Sequence, residues 1–157
     1  MLTRPIMRAL TAIAVLVAAL SLVACGGGDN KGLSKDEYKN KSQAISDKLK
    51  SDLSSAQQNL QSGDDKQALS GLNQFKTSLT QARTDLEGLE PPSDFKDVHN
   101  KLVDSLKQTE ASTQQVIDAA KSKDKAKAQT ALQQFQTDLQ TLNQVGGEYD
   151  KKVGTKS

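Results

Sequence analysis

From residue 34 onward, apolar residues recur every three or four positions, and strand-like alternation of β-branched residues is absent. That is the pattern of amphipathic helices. Ser34-Lys35-Asp36-Glu37 reads as a capping box, with Leu33 and Tyr38 placed to act as a hydrophobic staple. The stripe that follows, Tyr38, Ile45, Leu49, Leu53, Ala56 and Leu60, predicts a first helix that stops near Ser62-Gly63. Asp64, with Gln67 three residues on, opens a second, in which Leu72, Phe75, Leu79, Ala82, Leu86 and Leu89 alternate in threes and fours. Such spacing favours near-antiparallel packing at about 20°. Pro91-Pro92 ends this helix, because a residue before proline avoids the helical region. Ser93 or Asp94 is expected to cap a third helix, with the stripe Phe95, His99, Leu102, Leu106, Thr109, Thr113, Val116 and Ala120. Asp124 starts a fourth, with Ala128, Leu132, Phe135, Leu139, Leu142, Val145 and Tyr149. Gly146-Gly147 should fray its end, leaving 150–157 as a loose polar tail.

The second half of this pattern repeats the first. At an offset of 60, Ser62, Asp64, Ala68, Leu72, Gln74, Phe75, Thr77 and Leu79 recur without a gap as Ser122, Asp124, Ala128, Leu132, Gln134, Phe135, Thr137 and Leu139. The competing explanation is convergence of two Gln- and Leu-rich amphipathic helices. Shared Gln and Thr at exposed phases favour duplication. The expected fold is all-α: an antiparallel four-helix bundle over 34–149, built from two duplicated helical hairpins. A helix of about 25 residues is near 38 Å long, so the outline is a rod.

Residues 1–24 follow a different rule. Arg4 and Arg8 form a positive start without an acid, and a mild apolar run from Ala9 to Ala24 is broken only by Thr11 and Ser21. The run falls short of the roughly 20 residues a membrane span needs, and reads as a cleaved export signal. It ends at Leu22-Val23-Ala24-Cys25, followed by Gly26-Gly27-Gly28. This resembles the bacterial lipobox. The resemblance implies cleavage between Ala24 and Cys25 and a diacylglycerol on the Cys25 thiol, whose two acyl chains suffice for stable attachment to a membrane. Residues 25–33 would then be the lipidated cysteine and a flexible tether; the eight residues after Cys25 reach at most about 28 Å.

The 157 residues are 35% apolar and 3% aromatic, with one Cys, one His and a net charge of +2. One cysteine excludes an internal disulfide and any Cys-based zinc cluster. The excess charge is Arg4 and Arg8; without them the bases equal the 19 acids. The body therefore has no basic field for nucleic acid, nor the interleaved aromatics that stack on bases. His99, the only imidazole, falls on the third stripe between Phe95 and Leu102. A hydrogen-bonded packing histidine competes there with a pH-sensitive contact or ligand. Di-iron bundles need Glu-x-x-His pairs, and none is present; Met1 and Met7, the only methionines, leave with the signal. No nucleophile elbow occurs, so no catalytic residue, metal or cofactor is expected and the protein reads as a non-enzyme. Lys121, Lys123, Lys125 and Lys127 cluster at the turn between the third and fourth helices. They are a solvated turn or a contact for an anionic partner, and up-down topology puts them at the end away from the tether.

Leu86-Glu87-Gly88-Leu89-Glu90-Pro91-Pro92, with His99 downstream, resembles the Leu-x-x-Leu-x-Pro-Pro hairpin of uncharacterised helical lipoproteins of Gram-positive bacteria. That resemblance brings no activity with it; the lipobox resemblance implies an extracytoplasmic protein, lipid-anchored to the cell membrane. The Gly-rich tether and Arg-based start lean toward a Gram-positive host. The expected function is a non-catalytic bundle that contacts an envelope protein or a wall polymer. The alternative is a carrier that holds a small apolar or amphipathic ligand between the two hairpins.

Overall fold

The computed structural model describes residues 32–61, 64–122 and 124–154. It is a bundle of four helices: α1 (Lys35–Gln61), α2 (Asp65–Glu87), α3 (Lys96–Ser122) and α4 (Lys125–Val153). A 3₁₀ turn, Ser93–Phe95, leads into α3. No strand occurs among the described residues, and no helix there is long and apolar enough to cross a membrane.

Local chemistry sets the helix starts. The Ser34 N–H donates to Glu37 Oε2 (3.1 Å) and the Glu37 N–H to Ser34 Oγ (3.3 Å), which closes the capping box. The carboxylates of Asp64 and Asp124 each accept from the backbone N–H groups two and three residues on, so α2 and α4 begin alike. The start of α3 departs from expectation. Neither Ser93 nor Asp94 caps it: the 3₁₀ turn follows Pro92 without a side-chain cap, and Asp94 reaches Lys35 of α1 instead (2.6 Å).

The ends also differ. α2 stops at Glu87, ahead of the prolines, and Leu89 lies beyond it; its N–H donates to Leu86 O in a tightened last turn. Half-buried Leu89 then packs against both apolar clusters of the bundle. α4 does not fray at Gly146-Gly147. It runs to Val153, and Gly154 ends it in the left-handed region at φ 77°, with its N–H on Asp150 O. The reason is Val153 itself: one turn past Tyr149, it is buried in the same cluster. The polar tail therefore does not begin at 150.

Pairs across the seams run in reverse order. Lys76 meets Gln114 and Arg83 meets Glu110 between α2 and α3; Thr109 meets Asp138 and Lys101 meets Glu148 between α3 and α4. The close seams are α1–α2, α2–α3 and α3–α4. α1 and α4 meet at one end, through Tyr38–Tyr149 and Lys39–Gly154. The main core holds Leu72, Phe75, Leu79, Leu106, Ile117, Leu132 and Phe135. At its middle Phe75 and Phe135, one from each hairpin, stand edge to face with centroids 5.7 Å apart. The α1 stripe is less covered than expected, since Ile45, Leu49 and Leu53 are only partly buried. On α3 the late stripe drifts: Ile117 and Ala119 are buried and Ala120 is half-buried.

Hydroxyls fill much of the α3 face. Ser105, Thr109, Ser112 and Thr113 are buried, and each donates to a carbonyl three or four residues back in its own helix. A threonine so satisfied packs as a small, nearly apolar side chain.

Candidate functional site

The densest chemistry lies at the end of the bundle where the chain enters α1. Tyr38 (α1), His99 (α3) and Tyr149 (α4) come together there, 0%, 5% and 6% exposed. The Tyr149 hydroxyl donates to the Tyr38 oxygen at 2.9 Å. In the arrangement where the Tyr38 proton then goes to His99 Nδ1, 2.8 Å away, the neutral ring carries its own proton on Nε2. Buried Ser42 donates to Lys39 O (3.0 Å) and also neighbours the Tyr149 hydroxyl. Phe95 and Val153 close the cluster around Tyr38, and Leu33 packs on it from the entering chain.

Electrostatics hold this chain of hydrogen bonds neutral. Burial pushes both phenols up and the imidazole down from their ordinary values. Each shift disfavours the charged form. Charges stay at the rim. Lys35 pairs with Asp94 and sits over the Phe95 ring, 5.7 Å from its centroid. Lys39 donates to Gly154 O (2.8 Å). Lys35 holds the Asp94 carboxyl below its usual range, by a hydrogen bond first and by its charge second.

The entering chain is fixed before α1 begins. Leu33 N–H donates to Glu90 O (3.1 Å), and a Cβ on Gly32 would lie 3.3 Å from Pro91 O. Residues 32 and 33 therefore belong to the body rather than to a free tether. The proline connection serves as their seat.

The residues singled out from sequence fall in three places. Ala24 and Cys25 lie outside the described residues, as does Lys123. His99 is not at the surface; it is a core residue that meets Tyr38. Lys121, Lys125 and Lys127 are exposed at the far end, and Lys127 lies 3.8 Å from the Asp124 carboxylate. Helices of 27 residues put that end about 40 Å from Leu33. The bundle brings none of these lysines to His99. Among the described residues no three of His, Cys, Asp or Glu gather as a metal set.

The helical pattern puts Tyr38, His99 and Tyr149 on three separate stripes and does not by itself join them. The available signal is their shared position: each stands within about one turn of the same bundle end, and the chain has no other tyrosine or histidine. No protein-family model, curated protein or solved structure significantly matches this chain.

Proposed function

We propose that the chain is a membrane-anchored extracytoplasmic lipoprotein whose body is a non-catalytic module for contact with an envelope protein or a wall polymer. The observation that carries this reading is the lipobox at Leu22–Cys25 ending an apolar run shorter than a membrane span. The fixed start of the body adds to it. With Gly32 and Leu33 seated on the proline connection, residues 26–31 are all that separates the lipid from the bundle, a reach of at most about 21 Å. The exposed lysines at the far end then face away from the bilayer, toward anionic polymer or protein. Replacing Cys25 by Ser tests the anchor. The variant should leave the membrane fraction and lose acyl labelling; a variant that stays attached overturns the reading.

The body is read as two copies of one hairpin in antiparallel array. The matching caps at Asp64 and Asp124 and the Phe75–Phe135 contact at equivalent positions support that history.

A second reading, a carrier for a small apolar ligand, draws on the half-buried Ile45, Leu49, Leu139 and Leu142 of α1 and α4. Against it, Phe75 and Phe135 occupy the middle of the seam between the hairpins. A fluorescent fatty acid titrated into the full chain separates the two readings. Saturable binding lost in Leu142→Glu favours the carrier, and no binding favours the contact module.

A further inference from the structure

We propose that the Tyr149–Tyr38–His99 chain is an acid-opened latch, which holds the start of α1 and the end of α4 against α3 and releases them when the imidazole takes a second proton. The proposal rests on this geometry alone and does not require the lipid anchor. Three residues from three helices form one buried hydrogen-bonded line. That line ties α1 to α4 at an end where the seam between them is otherwise held by Lys39 on a backbone carbonyl, by Ser42 beside the Tyr149 hydroxyl and by Val153 packed near Tyr38. The same cluster seats Leu33, so opening it frees the root of the N-terminal segment.

Protonation reverses the role of Nδ1 from acceptor to donor. Tyr38 then meets two donors, Nδ1–H and the Tyr149 hydroxyl, and its own proton loses its acceptor. Tyr149 has to turn toward Ser42, and the line has to reverse along its length. The result is a buried cation without a counter-charge. No carboxylate bonds to the ring, whose ionisation is perturbed by burial alone. From α1 come Tyr38 and the rim cations Lys35 and Lys39; from the 3₁₀ turn comes Asp94, already held by Lys35. From α4 come Tyr149, with Asp150 beside it, Glu148, held by Lys101 of α3, and Lys152, whose charge acts on Asp94. Water is the remaining source of solvation for the Nδ1 side of the ring, which fully buried Tyr38 covers, and opening of this end admits it.

The chain reports on itself. It has no Trp, and its two tyrosines and one histidine all lie in the latch. In the full chain in detergent, the imidazole proton resonance gives protonation, and near-ultraviolet circular dichroism gives tyrosine packing. Hydrogen exchange at the Leu33, Tyr38 and Gly154 amides gives opening. One linked proton raises the opening constant by at most about tenfold per pH unit below the ordinary His range. The wild-type chain should show that rise at these three amides, after correction for intrinsic exchange, with Phe75 and Leu79 unchanged. His99→Gln should abolish the rise, because its amide oxygen accepts from Tyr38 and does not titrate. Tyr38→Phe, which keeps the imidazole, should move opening to higher pH. The proposal is overturned if His99 titrates while the tyrosine signal stays constant. It is equally overturned if Phe75 and Leu79 exchange in step with Leu33, or if Tyr38→Phe opens as the wild type does. If His99→Gln does not fold, the Tyr38→Phe comparison decides.

Discussion

Truncating Phe135 to Ala tests whether the bundle is held at its middle by the aromatic pair. Phe135 is 2% exposed and Phe75 4%, so the substitution empties a ring-sized space with little room for solvent. Loss of a buried Phe costs about 3–5 kcal/mol when the site collapses only partly. The edge-to-face contact at 5.7 Å contributes about 1 kcal/mol of that. Against a total stability of roughly 5–15 kcal/mol, the variant stands close to the folding threshold. For about 120 ordered residues the unfolding entropy is near 0.25 kcal/mol per degree, so a 4 kcal/mol loss lowers the Tm by about 15 °C. Thermal unfolding followed by far-ultraviolet circular dichroism measures the drop. A double-mutant cycle with Phe75→Leu should return a coupling of about 1 kcal/mol. A loss below about 1 kcal/mol, or strictly additive effects, would mean that the hairpins are held elsewhere.

Two further outcomes follow from α1 and α4. Gly146 and Gly147 sit inside α4, where a Cβ added to either would meet nothing within 4 Å, so Gly146→Ala and Gly147→Ala should each add about 0.5–1 kcal/mol, read as a higher denaturant midpoint. The Ser34 side chain and backbone N–H hold the Glu37 carboxyl below its usual 4.5. The folded state therefore binds that proton less readily than the unfolded state, and the capping box adds stability above pH about 4.5 that is lost as pH falls through the lowered value. Ser34→Ala should flatten this acid limb of the stability curve, as measured by urea titration at a series of pH values.

The helices and most of their starts were legible because short-range chemistry decides them: the capping box at Ser34, the Asp caps at 64 and 124, and the threefold-fourfold stripe of α2. What could not be read from local pattern depended on partners distant in sequence. Val153 extends α4 past two glycines because the Tyr38 cluster on α1 receives it, and Asp94 leaves its capping role because Lys35 waits across the seam. The union of Tyr38, His99 and Tyr149 is of the same kind, with 61 and 111 residues separating Tyr38 from its partners. Nothing in the local sequence distinguishes Arg83 from an ordinary surface base. It is partly buried, with Nε on Glu110 of α3 (3.1 Å) and Nη1 on Glu87 (2.7 Å), a fork that a single helix pattern does not announce.

The hydroxyl face of α3 has a consequence for the solution conditions the fold tolerates. Ser105, Thr109, Ser112 and Thr113 fill their seam with uncharged hydroxyls, and each closes a hydrogen bond within its own helix, Thr109 also reaching the Asp138 carbonyl of α4. Beside the Arg83 fork, the pairs Lys35–Asp94 and Lys101–Glu148 between elements are exposed, and exposed pairs contribute little and are readily screened. Ionic strength thus has few handles on this bundle. Its cohesion should change little between dilute and concentrated salt, so the same shape persists where the surrounding medium is not regulated.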